Sequence, residues 1–455
     1  MTQPAAAGAT VLIMVSYRHT GTVFTDRTFT VPLDHARPGG EQIAVFAREV
    51  VGAGSESAGL PWLLFLQGGP GFGSPRPVAR DGWLDRALHD YRVLLLDQRG
   101  TGRSSPATRQ TLARLPDAAA QARYLEHFRA DSIVADAEWI RPQVTGGEPW
   151  SVLGQSFGGF CTVTYLSTAP SGLREAFITG GLPGLNATAD DVYRLTYQAV
   201  AAKNRAHYQR YPHDVDVAHQ VARALIARPA ALPGGGMLTV ERFQALGRVL
   251  GSSTGSATLH YLLEDPFAGA ELSDAFLVAV ERELSYASAP LYALVHEACY
   301  AQGPATRWSA QRVRAEFPEF AAEAAVEDGA PLLFTGEMVY PWVIDQDPAL
   351  RPLREAAELL AERDDWPPLY AADQLARTDI PVAAAIYFDD MYVPRELSLE
   401  TAGRIRGLRY WITNEFEHDG LRTSEGRVLD RLIGLARDTI VEVSEAVPPT
   451  IRLAR

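Results

Sequence analysis

The chain has 455 residues, 47% of them hydrophobic and 21% charged, ordinary proportions for a folded protein able to bury a sizeable core. Its formal net charge of −13 argues against nucleic acid and anionic membranes as partners. No apolar run is long enough to span a bilayer, and two cysteines, Cys161 and Cys299, do not make the disulfide framework of a small secreted protein.

The run Val11-Leu12-Ile13-Met14-Val15 has no basic residue before it and no clear small-residue cleavage site after it. It therefore reads as neither signal peptide nor anchor, and the cytoplasm is the expected compartment. Strand patterns come first, over Phe24 to Val31 and, after the turn-like Arg37-Pro38-Gly39-Gly40, over Gln42 to Val51. Four short apolar runs follow: Trp62 to Leu66, Arg92 to Leu96, Trp150 to Leu153 and Ala176 to Thr179. Such runs suit strands buried on both faces of a parallel sheet. Helical patterns over Asp131 to Ile140 and Phe157 to Ser167 alternate with them, as in an α/β sheet covered on both sides.

After Gly180-Gly181-Leu182-Pro183-Gly184 the pattern becomes mostly helical, with Asp190 to Tyr211, Val215 to Ala227, Val240 to Leu250 and Leu272 to Tyr286 as the clearest stretches. Strand character returns at Pro381 to Phe388 and Leu408 to Ile412, and a helix is expected from about Glu425 to Val443. The expected organisation is a core of residues 1–182 and 376–455, with residues 183–375 as an inserted helical cap. Basic residues are nearly all arginine; Lys203 is the only lysine.

The most informative local pattern is Gly154-Gln155-Ser156-Phe157-Gly158-Gly159, between an apolar strand run and a helical pattern. A G-x-S-x-G turn in that setting can hold a serine hydroxyl at the edge of a sheet, with the Phe157 N–H aimed at a forming oxyanion. Gln67-Gly68-Gly69-Pro70-Gly71 follows another buried strand, where the amides of Gly68 and Gly69 can supply the second half of an oxyanion hole. In this architecture the order along the chain is Ser, acid, His. Of ten histidines only His418 follows the carboxylates Asp389 and Asp390, which end the strand run Val382 to Phe388. Spacing alone does not separate Asp389 from Asp390.

These segments resemble the prolyl aminopeptidases (proline iminopeptidases), serine peptidases of the α/β-hydrolase fold. The family's H-G-G-P-G loop corresponds to Gln67 to Gly71, with glutamine where many members have histidine. Its D-Q-R-G-x-G-x-S segment is matched by Asp97-Gln98-Arg99-Gly100-Thr101-Gly102-Arg103-Ser104, and its elbow by Gly154 to Gly159. The length points to the family's longer branch. The resemblance implies a mostly parallel central sheet with a helical cap, a triad of Ser156, Asp390 and His418, and no metal or other cofactor. It further implies a short peptide with a free N-terminal proline as substrate, held by acidic cap residues. Glu297 and Glu337 are the candidates, with Tyr300, Tyr340 and Trp342 as walls for the pyrrolidine ring. Arg99 is expected to tie loops together below the site. The alternatives are an esterase, a peptidase of other specificity, or a non-catalytic binding protein of the same fold. The sequence leaves the oligomeric state open.

Overall fold

The computed structural model describes residues 14–19 and 21–437. Nine strands form one sheet: β1 (Met14–His19), β2 (Thr22–Pro32), β3 (Gln42–Gly52), β4 (Trp62–Leu66), β5 (Arg92–Leu96), β6 (Trp150–Gln155), β7 (Leu173–Thr179), β8 (Val382–Tyr387) and β9 (Arg409–Thr413). Their spatial order is β1-β2-β3-β5-β4-β6-β7-β8-β9. Strands β5 to β9 run parallel in that order, whereas β1, β2 and β3 join the edge antiparallel.

The apolar strand runs follow from alternation. Leu63 and Phe65 of β4 face one side of the sheet, with Val93, Leu95, Leu153 and Phe177, and there meet α1 (Gly82–Asp90) and the C-terminal helix (Arg427–Ala436). Leu64 and Leu66 face the other side, with Leu94, Leu96, Val152 and Ile178, and pack on α2 (Ala130–Thr145) and α3 (Phe157–Thr168). Both faces are covered, so the runs do not alternate with polar residues, and two buried exceptions, Ser151 and Glu175, are bonded to each other at 2.9 Å.

Between β7 and β8 the chain is mainly helical. The longest pieces are α4 (Ala189–Arg210), capped by Thr188, and α5 (Asp214–Ala227). The expected helix over Val240 to Leu250 is broken: an α-turn at Val240–Gln244 passes into a 3₁₀ segment, Ala245–Gly251. Gly247 lies in that segment because a Cβ there would meet the Thr335 carbonyl oxygen at 2.4 Å. The expected helix over Leu272 to Tyr286 is shorter, Asp274–Leu284, with Ser273 as its N-cap. Of the expected terminal helix, Arg427–Ala436 is present, and residues 438–443 lie outside the described residues.

Arg99 is fully buried and donates to Asp136 (Nε to Oδ2, 2.7 Å) and to the carbonyls of Leu33, His127 and Pro32 at 2.7–3.0 Å. It thereby ties the end of β2, the loop before α2 and α2 itself. Arg99→Met would leave Asp136 charged and buried without its main partner. It is expected to lower stability by about 3–5 kcal/mol, seen as a fall in urea midpoint with an unchanged slope.

Candidate active site

Strand β6 ends at Gln155 and α3 begins at Phe157, so Ser156 alone makes the turn, at φ 56° and ψ −124°. Positive φ in a non-glycine residue is strained. It is held here by Ser156 N–H to Thr179 O (3.0 Å) and by Gly159 N–H to Ser156 O (2.7 Å). Two flanking glycines are required by close approach. A Cβ on Gly158 would lie 1.9 Å from the Leu66 carbonyl oxygen, and one on Gly159 2.4 Å from that of Gly181. The loop after β4 also presses on the turn, since a Cβ on Gly68 would sit 2.8 Å from the Ser156 Cβ. Phe157 provides the first amide of α3, which has no acceptor within its own helix.

The structure separates the two aspartates. Asp390 is buried and its Oδ2 meets His418 Nδ1 at 2.6 Å. Its other oxygen accepts the N–H groups of Tyr392 (2.8 Å) and Val393 (3.0 Å), which fix the carboxylate. Asp389 is exposed and faces a surface depression with Arg395, Glu396 and Glu417. Asp390 and His418 follow β8 and β9, the two strands beyond β7, and Ser156 follows β6. A Cβ on Gly180 would lie 3.1 Å from His418 Nδ1, and one on Gly181 2.4 Å from the Ser156 carbonyl oxygen. Ser156 and the His418 imidazole therefore flank the same glycine pair. Burial disfavours the imidazolium, but the charge and hydrogen bond of Asp390 outweigh it, with help from Glu337, and His418 titrates above its ordinary value.

The two cap glutamates differ. Glu337 accepts the Tyr292 hydroxyl at 2.6 Å, and its charge is felt by His418, Tyr392, His296 and Arg248. Through Tyr292 it stands against the Gly71 loop. Glu297 has both oxygens engaged by the amides of Ser309 (3.0 Å) and Ala310 (2.9 Å), at the start of the helix Ser309–Arg314. Burial pushes its carboxyl up despite these bonds. Tyr340 is fully buried, bonded to the Tyr197 hydroxyl at 2.8 Å and stacked on Trp342, so this pair packs the cap interior. Tyr300 touches Phe160, Tyr193 and His296 at the cap–core boundary.

Sequence reasoning missed three side chains here. Tyr392 places its ring edge-to-face on His418 at 4.8 Å and was discoverable from its place two residues after Asp390. Tyr292 packs on Phe72 and meets Gly71, where a Cβ would lie 2.5 Å from the Tyr292 nitrogen. Arg248 is half-buried, and its charge is felt by Tyr286, Tyr292 and Tyr392. Neither Tyr292 nor Arg248 carries a sequence signal, because both come from the cap. Cys161 and Cys299 are buried free thiols. Among the described residues no group of three or more His, Cys, Asp or Glu side chains is placed to hold a metal ion, and no helix is long and apolar enough to cross a membrane.

A strained serine turn after a central parallel strand, with a His–Asp pair on the loops after the last two strands, defines an α/β-hydrolase. Residues 61–266 match the α/β-hydrolase fold family. The chain is 51% identical over 411 residues to a proline iminopeptidase of Aeromonas sobria, covering 90% of this chain and 96% of that protein. It is 38% identical over 424 residues to a proline iminopeptidase of Aspergillus aculeatus, covering 90% and 93%. The chain belongs to the proline iminopeptidase family.

Proposed function

We propose that the protein is a serine aminopeptidase that releases proline from the N-terminus of short peptides. The observation that carries this reading is the Glu337 carboxylate, bonded to the Tyr292 hydroxyl at 2.6 Å where Tyr292 packs on the Gly71 loop, with its charge reaching His418. A carboxylate there suits the cationic amine carried by the same residue as the scissile carbonyl.

In this mechanism the substrate's ammonium pairs with Glu337, and its ring lies among the cap aromatics around Tyr292. Glu297, with both oxygens already engaged by backbone amides, supports the cap wall instead. His418 takes the proton of Ser156 as the hydroxyl attacks the proline carbonyl, and Asp390 holds the imidazole tautomer and stabilises the imidazolium. The amides of Phe157 and of Gly68 or Gly69 receive the oxyanion. His418 then gives its proton to the leaving amine, and water, activated by the same histidine, hydrolyses the acyl-enzyme.

The base works only when neutral. Because Asp390 raises the His418 pKa, activity falls as pH drops through a value above 6.5. The acid limb of kcat/KM is expected above that value in a pH–rate profile. An acid limb below it would contradict the assignment.

The experiment that tests the function incubates the protein with a prolyl dipeptide and, separately, with a fluorophosphonate probe. Proline release, and a single adduct on Ser156 that abolishes it, is the expected result. Adduct formation without proline release would leave an esterase or a peptidase of other specificity. No adduct and no release would leave a binding protein.

A further inference from the structure

Three consecutive residues of the loop after β9 are each held by the cap. Glu417 pairs with Lys203 of α4, Oε2 to Nζ at 2.5 Å. The His418 N–H donates to the Gly251 carbonyl at 3.2 Å, at the end of the 3₁₀ segment Ala245–Gly251. Asp419 accepts the Ser253 hydroxyl at 2.8 Å and the Ser253 N–H at 3.2 Å. The Tyr392 ring, packed on His418, sends its hydroxyl to the Arg248 carbonyl of the same cap segment. From the core, the grip on His418 is the bond to Asp390, while Gly420 N–H to Glu417 O (3.0 Å) closes the loop on itself.

We propose that Lys203 is a positioning residue for the reaction: by pairing with Glu417 it lets the cap hold the His418 loop in register with Ser156. This rests on the roles of Ser156 and His418 given above. The electrostatics explain why a cation is needed. Glu417 is half-buried and faces Asp389 and Asp390, with Arg395 and Glu396 beyond them on the rim of the same depression. Burial pushes the Glu417 carboxyl up, the Lys203 ammonium pulls it down, and Asp389 and Asp390 push it up again. Without Lys203 an ionised Glu417 repels Asp390, and its loop is driven from the carboxylate that orients His418. Arg422 is the further cation felt by His418, and it lies on the loop side, so it does not replace a link to the cap. Lys203 is itself largely covered, 12% exposed at the side chain, so its charge is poorly screened.

The test compares Lys203→Met, Lys203→Arg, Glu417→Gln and the double variant Lys203→Met/Glu417→Gln with the wild type. Three quantities are read: the rate of fluorophosphonate labelling at Ser156, which needs the base but not the amine site, and kcat and KM on a proline arylamide. Lys203→Met is expected to slow labelling and kcat about ten-fold, since small misplacements of a catalytic group are costly, with KM changed by less than about two-fold. Lys203→Arg is expected to keep at least about half the wild-type rate. The double variant is expected to outpace Lys203→Met, because removing Glu417's unpaired charge relieves the repulsion. A wild-type labelling rate in Lys203→Met, or a Lys203→Arg as slow as Lys203→Met, would overturn the proposal. Should Lys203→Met fail to fold, Glu417→Gln decides: about three-fold slower labelling supports the link, and an unchanged rate overturns it. Wild-type protein that labels but releases no proline would overturn the substrate and leave the positioning role standing. Wild-type protein that does not label would overturn both.

Discussion

Asp390→Asn is expected to lower kcat on a proline arylamide by about 10⁴-fold, whereas Asp389→Asn leaves it within about two-fold. The two residues are adjacent in sequence but not in environment. Asp390 is buried against His418 Nδ1 at 2.6 Å, while Asp389 is exposed on the rim of a surface depression. An asparagine at 390 still accepts the amides of Tyr392 and Val393 through its oxygen. It then turns an N–H₂ toward His418, which favours the wrong tautomer and no longer stabilises the imidazolium. The acid limb should move to lower pH in the same variant, since the charge that raises the His418 pKa is gone. Steady-state kinetics over pH read both effects. Equal losses at 389 and 390 would point to a general acidic field rather than a triad.

Glu337→Gln is expected to lower kcat/KM on substrates with a free amine by about 10²-fold, because a desolvated ammonium loses its counter-ion. The same variant should hydrolyse a short-chain acyl ester at close to the wild-type rate, since that substrate brings no amine. A fall of equal size on both substrates would mean that Glu337 acts through His418, on which its charge is also felt. Glu297→Gln should instead reduce thermal stability more than specificity, as its oxygens cap the helix at Ser309 and Ala310.

The parallel sheet was legible because burial on both faces writes unbroken apolar runs: Trp62 to Leu66 and Arg92 to Leu96 coincide with β4 and β5. The serine turn was legible because its glycines answer to backbone contacts within a few residues or one strand away. The order of acid and base along the chain reduced ten histidines to His418. What the sequence withheld depends on long-range packing. Strand β1 is exposed along its whole length and has no apolar pattern to betray it. The need for glycine at 247, in the broken stretch 245–251, comes from Phe334 and Thr335, far along the chain. Glu297 and Glu337 look alike as glutamates in apolar cap segments. Only the fold gives one to a helix N-terminus and the other to Tyr292 against the Gly71 loop. Tyr340 and Trp342 read equally as pocket wall or cap interior until Tyr197 is seen against them.

The most direct test of the account is kcat/KM on a proline arylamide and on its N-acetyl derivative, with Ser156→Ala as the control. The expected result is at least about 10²-fold preference for the free amine, matching the loss of one desolvated ion pair, and a fall of about 10⁴-fold or more in Ser156→Ala. Equal turnover of the two substrates, or undiminished turnover in Ser156→Ala, would contradict it.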